Sequence, residues 1–423
     1  MCMDGFFKPF DIPEGPTIPE RNADIRDFGA VEGGVVCNTQ AIRNAIDALS
    51  SAGGGRVVFP RGRWLTGPIH LRSGIELHLE KGCEVIFSTR RDDYLPAVFT
   101  LYEGMRCHTF SAQLYARDCH DIAITGEGVF DGQGFAWWYM AAMYPDGPER
   151  LHEACEKHVP VEQRVFNTEE QGLRPGMLNF VSCRNVLIEG CTFRFSPFWT
   201  LHPTWCENII VRGIRVINPY DHAPNTDGCN LEGCRRGLVE DVWVDTGDDA
   251  VCLKAGRDED GRLQQRPCEN IVLRRITAKR SHGGVTIGSE MSSGVRNVLV
   301  EDCDFQQSLI GLWIKSAPER GGSVRNIEYH RIRAERLRQQ GICITMGYCT
   351  DGAWTGDADA LPVIENILVD GFRCEHAGTA VLLEGCEERP LRGIRLANVT
   401  ASGDASIRAS HVEDLGMENV SFY

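Results

Sequence analysis

One short pattern of apolar and polar positions recurs along most of this chain. A polar residue, most often asparagine, precedes an alternating run of aliphatic and β-branched residues, and glycine or aspartate separates the runs. The runs begin at Asn185, Asn208, Asn270, Asn297, Asn326, Asn366 and Gly393. Most successive starts lie roughly 23 to 40 residues apart, a period typical of solenoids and other repeat arrays.

The runs are short and alternating, so they predict strands rather than helices. No helical pattern lies between them, which excludes a helical repeat and also a doubly wound sheet, because that sheet needs crossover helices. A parallel β-helix remains, in which coils stack about 4.8 Å apart. The recurring asparagine fits this fold either as a ladder of amide hydrogen bonds or as a turn residue. We therefore predict an all-β, parallel β-helix that forms one domain over residues 1–423.

Two regions depart from the repeat. Asn38 opens a helical pattern that ends at Gly53, which predicts a short N-terminal helix capping the open end of the solenoid. This cap and the first coils are expected within residues 20–110. Between residues 133 and 176 a segment rich in aromatic and charged residues, including Trp137, interrupts the repeat. Long insertions in solenoids are often functional, so we expect this one to form a wall of the active site.

Charge and cysteine content narrow the class of protein. The net charge is -15 and the pI is about 5.3, so no net positive field attracts nucleic acid or anionic membranes, and neither partner is expected. The N-terminus has no basic stretch followed by an apolar core, and no apolar run reaches the length of a membrane span. The 18 cysteines show no paired spacing of zinc type. We expect a reduced, cytoplasmic protein without metal or cofactor.

Charged residues recur on successive coils of the predicted solenoid. Asp227 precedes the pair Asp248 and Asp249 by about one coil, so these side chains can project onto the same face. The next coil carries His282 and the one after it carries Lys315. Aspartate alone is weak evidence because it favours turns, but four polar clusters on consecutive coils indicate a site. Hydrolysis of a glycosidic bond needs this chemistry, namely one protonated carboxyl group and one ionised carboxylate.

These motifs resemble those of glycoside hydrolase family 28, the polygalacturonase family of pectin-degrading enzymes. The matching motifs are Asn225-Thr226-Asp227, Gly247-Asp248-Asp249, Ser281-His282-Gly283 and Ile314-Lys315, with further similarity over 126–132, 196–203 and 288–291. The resemblance covers most of the chain and looks closest to the bacterial, exo-acting branch. It implies a right-handed parallel β-helix and metal-independent hydrolysis with inversion at the anomeric carbon.

The resemblance also implies a role for each site residue. Asp248 is the expected general acid, and Asp227 and Asp249 are expected to hold and deprotonate the attacking water. Repulsion between neighbouring carboxylates would raise the pKa of the acid, which agrees with that role. His282 is expected to tune the acid through a hydrogen bond. The expected substrate-binding residues are Asn225, Lys315, Trp313 and Glu290.

Trp313 is a departure from the family pattern. The family usually has arginine at this position, where it contacts the sugar carboxylate at the cleaved bond. An indole cannot replace the bidentate guanidinium. Three interpretations stay open: Trp313 stacks on a neutral sugar, another basic residue such as Arg257 or Arg320 takes over the contact, or Trp313 only packs.

We therefore predict an inverting glycoside hydrolase that acts from a chain end on galacturonate-containing or related pectic oligosaccharides. The insertion at 133–176 favours exo action, because a wall turns an open groove into a pocket that accepts only a chain terminus. Two alternatives remain. One is a β-helix polysaccharide lyase, for which an acidic cluster would be a calcium site, and the other is a non-catalytic, carbohydrate-binding β-helix.

Overall fold

A computed structural model describes residues 5–348 and 360–423, and strands dominate it. The α-helices are α1 (Thr39–Ser51), α2 (Met140–Met143), α3 (Gly147–Glu156) and α4 (Asp258–Gln264). Short 3-10 helices span Ile25–Phe28, Arg91–Tyr94, Gly134–Ala136, Val161–Gln163 and Glu169–Gln171. The strands of the first half are β1 (Asn22–Asp24), β2 (Gly55–Phe59), β3 (Gly62–Thr66), β4 (Ile69–His70), β5 (Ile75–Leu79), β6 (Cys83–Phe87), β7 (Val98–Tyr102), β8 (Met105–Thr109), β9 (Leu114–Arg117), β10 (His120–Gly126), β11 (Val129–Asp131), β12 (Val165–Phe166), β13 (Leu178–Val181), β14 (Arg184–Glu189), β15 (Thr192–Arg194), β16 (Glu207–Arg212) and β17 (Arg215–Ile217). Those of the second half are β18 (Cys229–Glu232), β19 (Arg235–Asp245), β20 (Val251–Lys254), β21 (Cys268–Gly288), β22 (Val295–Glu301), β23 (Asp304–Lys315), β24 (Ser323–Thr345), β25 (Val363–Glu384), β26 (Leu391–Ala397), β27 (Thr400–Ser410), β28 (Val412–Glu418) and β29 (Ser421–Phe422).

Almost every strand pairs in parallel with the strand one coil later, and the coils form three long faces. Face A begins with β1, β2 and β5, and face B begins with β3 and β6. Face C begins with β4, β9 and β13 and continues through β18 and β20. The long strands β21, β23, β24 and β25 bend around corners and contribute to more than one face. The prediction of a parallel β-helix is confirmed.

The interior of the solenoid is a continuous apolar core to which all three faces contribute. Equivalent positions on successive coils carry similar side chains, because each lies about one strand spacing above the last. Phe130 stacks between Phe87 and Phe193, with ring centroids 6.2 and 5.3 Å apart. Most cysteines of the described residues also lie inside, where they pack as small apolar groups.

The recurring asparagines mark one corner of the coil, where the backbone must turn sharply. Asn185, Asn208, Asn270 and Asn297 have φ angles between 55° and 58°, a left-handed conformation that asparagine tolerates better than most residues. Their side chains also bond between coils. The Asn208 amide donates to Asn185 at 3.0 Å, and that of Asn297 donates to Asn270 at 2.6 Å. Both explanations of the repeat therefore hold, since the residue turns the chain and ties neighbouring coils.

The predicted capping helix is present as α1, and it begins and ends where the pattern indicated. Its buried positions are Ala41, Ile42, Ala45, Ile46 and Leu49, which face the first coils of the solenoid. Covering this end protects unpaired strand edges and apolar side chains from water.

An extended N-terminal arm, residues 5–19, was not predicted and lies across face A. Phe7 and Phe10 pack on a cluster of outward-facing apolar residues from five successive coils, among them Leu238 and Val272. The backbone of Lys8 exchanges two hydrogen bonds with the Asn297 side chain, at 2.7 and 2.8 Å. The arm therefore covers an apolar stripe that would otherwise face solvent.

The segment 133–176 lies beside a hairpin that the sequence pattern did not reveal. Strands β7 and β8 form this antiparallel hairpin, and β12 of the inserted segment pairs with β8. Arg106 of the hairpin and Arg164 of the inserted segment both donate to Asp260 in α4, at 2.7 and 2.8 Å. The hairpin, the inserted segment and α4 are thus joined at one end of face C.

Two further observations concern the compartment of the protein. None of the helices in residues 5–348 and 360–423 has the length and apolar character needed to cross a membrane. All cysteines in those residues are free thiols, most of them buried.

Candidate active site

Consecutive coils of face C bring the predicted catalytic residues together. Asp227 comes just before β18, and Asp248 and Asp249 come just before β20, its neighbour in the sheet. The backbone N–H of Gly228 donates to the carbonyl of Asp249 at 2.9 Å, and that of His282 donates to the carbonyl of Asp248 at 2.8 Å. The spacing of one coil between these motifs therefore does place them side by side.

Asp227 and Asp249 form a buried pair of carboxyl groups, with 3% and 1% of each residue exposed. Oxygens of the two groups lie within 4.8 Å of each other. Asn230 donates to Asp227 at 3.0 Å, and Lys315 donates to Asp249 at 2.9 Å. The second oxygen of Asp249 is buried and has no hydrogen-bond partner among the described residues. A water molecule that bonds both carboxyl groups fits this gap, because such bonds are about 2.7–2.8 Å long.

Asp248 is the most exposed of the three aspartates and pairs with His282. Its Oδ1 lies 3.3 Å from Nδ1 of His282, and 18% of its side chain is exposed. The hydrogen bond and charge of Asp248 raise the pKa of His282, although burial opposes this. Burial alone would raise the pKa of Asp248, but the hydrogen bond from His282 and the charges of His282 and Lys315 lower it overall. The two residues thus form one hydrogen-bonded, ionised pair.

The pKa of Asp227 is raised, whereas that of Asp248 is lowered. Burial, followed by the negative charge of Asp248, raises the pKa of Asp227 well above its ordinary value. The sequence expectation was that Asp248 would have the raised pKa. The difference has a physical reason: His282 stabilises the ionised form of Asp248, whereas Asp227 has, among the described residues, only the neutral Asn230 as a side-chain hydrogen-bond partner.

A pocket of about 230 Å³ opens beside the aspartates. Its volume falls below the roughly 300–1,000 Å³ that drug-sized ligands occupy, so it suits a ligand of about one sugar unit. Five acidic and four basic residues line it. They are Glu103, Asp227, Asp248, Asp249, Glu290, Lys254, Arg257, Lys315 and Arg320, together with Trp199, Asn225, Ser289 and Tyr348. For a chain of net charge -15, four cations in one pocket are a marked local concentration.

The basic residues of the pocket are held by acidic partners. Lys254 donates to Glu290 at 2.6 Å, and its ammonium group lies 4.6 Å from the centroid of the Trp199 ring. Burial alone would raise the pKa of Glu290, but the charge of Lys254 holds it well below its usual range. Arg320 bonds Asp258 and the Ser289 carbonyl. These pairs fix the cations in the pocket before any substrate arrives.

The predicted substrate-binding residues differ in how they meet the pocket. Asn225, Lys315 and Glu290 line it, and the Asn225 side chain accepts a hydrogen bond from Arg174 at 2.6 Å. Trp313 does not line it. The ring of Trp313 lies 4.1 Å from the Lys315 ammonium and contacts the edge of Tyr348. Trp313 therefore packs against Lys315 instead of facing the pocket. Arg257 and Arg320 line the pocket with their guanidinium groups.

Sequence reasoning did not select Lys254 and Glu103 for the site. Lys254 had a usable signal, because it lies five residues after Asp249 in an alternating strand and faces the same way as Lys315. Glu103 had none, since it stands at the tip of the β7–β8 hairpin, far away in the chain. The tip docks closely: a Cβ on Gly104, whose φ is +79°, would meet the backbone nitrogen of Arg257 at 2.7 Å.

The donor set also bears on metal binding. Asp227, Asp249 and Cys252 gather ligand atoms within 4.8 Å of one another. Lys315 already occupies one Asp249 oxygen, and burial raises the pKa of the Cys252 thiol well above its usual value. The nearby lysine charges oppose a divalent cation, so this arrangement suits carboxylate chemistry better than a metal centre.

Comparison with known proteins identifies related enzymes. The profile of the glycosyl hydrolases family 28 matches residues 99–417. A probable polygalacturonase of Vitis vinifera is 31% identical over 389 residues, which is 90% of this chain and 74% of that protein. An exo-poly-alpha-D-galacturonosidase of Dickeya chrysanthemi is 24% identical, over 94% of this chain and 70% of that protein. The crystal structure of an exopolygalacturonase from Thermotoga maritima superposes with a TM-score of 0.92 at 36% identity, covering 97% of this chain and 94% of that one.

These similarities confirm the right-handed parallel β-helix and the glycosidase activity that the motifs predicted. The chain belongs to glycosyl hydrolase family 28.

Proposed function

We propose that this glycosidase removes single galacturonate units from the end of polygalacturonate-type pectic oligosaccharides, with inversion at the anomeric carbon. The observation that carries the proposal is the small pocket beside the three aspartates, which holds four fixed cations in an otherwise acidic protein. A uronate carboxylate suits such a pocket because guanidinium and ammonium groups are its natural partners. Similarity to proteins named as exo-acting galacturonate hydrolases supports the same substrate.

Exo action is supported by the way the pocket is closed at one end. The hairpin β7–β8 crosses from the inserted segment 133–176 to the Gly256–Arg257 backbone, where Arg257 donates to the Gly104 carbonyl at 3.2 Å. Aromatic stacking continues this closure from Tyr102 through Phe198 to Trp199, with ring centroids 4.4 and 5.1 Å apart. A long polymer cannot lie through such an end, whereas its terminal sugar can enter. We therefore assign the wall of the active site to the hairpin together with the segment 133–176.

The aspartates divide the reaction into two tasks. Asp249, which accepts a hydrogen bond from Lys315, and its neighbour Asp227 hold the attacking water, and Asp249 accepts the proton that the water loses. The water oxygen forms a bond to the anomeric carbon as the glycosidic bond breaks on the opposite side of the sugar ring. The leaving oxygen receives its proton from Asp248. We assign the supply of that proton to the Asp248–His282 pair, because His282 is the member with the raised pKa.

Product analysis tests the substrate and the mode of action together. With tetragalacturonate, we expect the sugar pool to gain one monosaccharide per cleavage, initially in the configuration opposite to that of the linkage. Mass spectrometry measures the products, and proton nuclear magnetic resonance in the first minutes measures the anomer. Early release of dimers and trimers from long chains, with a rapid fall in viscosity, would show endo cleavage instead. An unsaturated product that absorbs ultraviolet light would show elimination.

The assigned proton supply predicts a specific dependence on pH. The imidazolium of His282 is present below its raised pKa and is lost as the pH rises through it, so kcat/KM should fall on an alkaline limb above the ordinary histidine value of 6.5. In a His282→Gln variant this limb should move to lower pH, because the imidazolium that supplied the proton is gone. A pH series of kcat/KM measures the limb. The exposed His222, changed to glutamine, is the matched control, and an unmoved limb in His282→Gln would exclude the assignment.

We further propose that the enzyme works in a reducing, cytoplasmic compartment and binds neither nucleic acid nor membranes. The free cysteines of the described residues and the net charge of -15 support this. Fractionation of the native source cells, followed by detection of the protein with an antibody, tests the compartment. Recovery of the protein mainly outside the cells would contradict it.

A further inference from the structure

A group of aromatic and basic side chains borders the active site beside His282. Tyr220 contacts the His282 ring edge-on, with centroids 6.0 Å apart. The guanidinium carbons of Arg280 and Arg338 lie 5.9 and 5.6 Å from the centroid of the Tyr220 ring. We call these three residues, Tyr220, Arg280 and Arg338, the basic rim. None of them is among the residues that line the pocket.

The two arginines of the rim differ in how they are neutralised. Arg280 forms a bidentate ion pair with Asp245, with bonds of 2.7 and 2.8 Å. Asp245 therefore largely neutralises the charge of Arg280. Arg338 is exposed and forms no ion pair with any residue in the described part of the chain. The acidic groups near the rim are Asp245, Asp221 and Asp248. Among the described residues, the charge of Arg338 therefore has no acidic partner, and it lies against the Tyr220 ring that contacts His282.

An irregularity in the sheet positions Arg338. Between β23 and β24, the residues Ser308 and Ile310 pair with Leu337 and Gln340, so β24 carries one extra residue at this corner. The extra residue is absent from the next coil. There, Ala377 and Thr379 of β25 are two residues apart and pair with Leu337 and Gln340 of β24, which are three residues apart. Bulges of this kind redirect side chains and are common beside active sites. Here the bulge contains Arg338.

We propose that the basic rim binds the part of an anionic oligosaccharide that remains outside the pocket, with a uronate carboxylate on Arg338 and a sugar ring against Tyr220. The inference rests on the proposed function. The hairpin closes the pocket toward the early coils, so the rest of the chain must leave toward the later coils, where Arg338 lies. His282 belongs to the coil of β21 and Arg338 to that of β24, two coils further on. At about 4.8 Å per coil, Arg338 meets sugars beyond the cleaved bond rather than the bond itself.

The length of the substrate tests this proposal. In Arg338→Ala, the KM for tetragalacturonate should rise about two- to fivefold, which is the usual range for one exposed ion pair, while kcat/KM for digalacturonate stays unchanged. The KM difference should shrink as salt is added, because the contact is exposed. Arg373→Ala removes an equally exposed arginine from face B and is the matched control. In Tyr220→Ala the same length dependence is expected, whereas Tyr220→Phe should retain wild-type behaviour if the ring makes the contact.

Two results would contradict the proposal that the basic rim binds the substrate. One is an Arg338→Ala variant whose KM for the tetramer equals that of the wild type, and the other is an equal loss on dimer and tetramer. Failure of the proposed function is a separate outcome, namely that the wild type cleaves neither oligomer. In that case, calorimetric binding of tetragalacturonate to the wild type and to Arg338→Ala still tests the rim, and equal affinities would reject it.

Discussion

Replacing Asp248 with asparagine should lower kcat by at least about a thousandfold, since general acid catalysis alone contributes roughly 10²–10⁴ and acts together with water activation. Asparagine keeps the size of the side chain but cannot give a proton to the leaving oxygen. Asp248 is partly exposed, and within residues 5–348 and 360–423 its side chain bonds only His282 and the adjacent Asp249 backbone, so we expect little loss of stability. Initial rates on tetragalacturonate, with thermal unfolding measured in parallel, separate the two effects.

The control for this variant is Asp302→Asn, which makes the same chemical change at a surface pair with Arg331. It should leave kcat unchanged. An Asp248→Asn protein that folds normally and retains most of its activity would exclude Asp248 as the acid. Asp227 would then be the next candidate for the acid, because burial and the charge of Asp248 raise its pKa.

The fold was predictable because a solenoid repeats a local signal. Asn208 and Asn297 mark the same left-handed corner on different coils, and each is followed by an alternating strand. In a solenoid, residues that are one coil apart in the sequence are neighbours in space. For this reason Asp227 could be placed beside Asp248 from the sequence alone. No three-dimensional information was needed for either step.

Other features were hidden because they depend on contacts between distant parts of the chain. Glu103 reaches the pocket only because the hairpin tip docks at Arg257, and nothing in the local sequence of the hairpin indicates that contact. The N-terminal arm bonds Asn297 across 289 positions of sequence. The opposite pKa shifts of Asp227 and Asp248 were hidden for a related reason. Repulsion between carboxylates is visible in the sequence, but which one His282 stabilises depends on geometry.

The interpretation of Trp313 changed for a similar reason. From the sequence, the missing arginine suggested that a uronate carboxylate had lost its partner at this subsite. In the structure, Arg257, Arg320 and Lys254 reach the pocket beside the aspartates from loops and strands that the motif does not include. The Trp313 ring instead lies against the ammonium of Lys315. The absence of the family arginine at position 313 therefore does not argue against binding of an acidic sugar in the pocket.

Removing the charge of Lys315 should have the largest effect on stability. Lys315→Met keeps the length of the side chain but leaves Asp249 buried without its cation, since the pair is 2.9 Å apart and only 7% and 1% of the two side chains are exposed. Breaking a buried ion pair in this way costs about 3–5 kcal/mol in the free energy of unfolding. The protein can escape part of that cost by protonating Asp249, and a protonated Asp249 cannot accept the proton of the attacking water. Urea unfolding and kcat measure the two consequences.

The double variant Lys315→Met/Asp249→Asn distinguishes the pair from simple packing. If the cost comes from the unpaired carboxylate, the double variant should regain most of the lost stability, because neither charge is then buried, yet it should stay inactive without a base. If Lys315 acts only by filling space beside Trp313, the double variant should be no more stable than Lys315→Met. Recovery of stability without recovery of activity would thus tie the same ion pair to both folding and the activation of water.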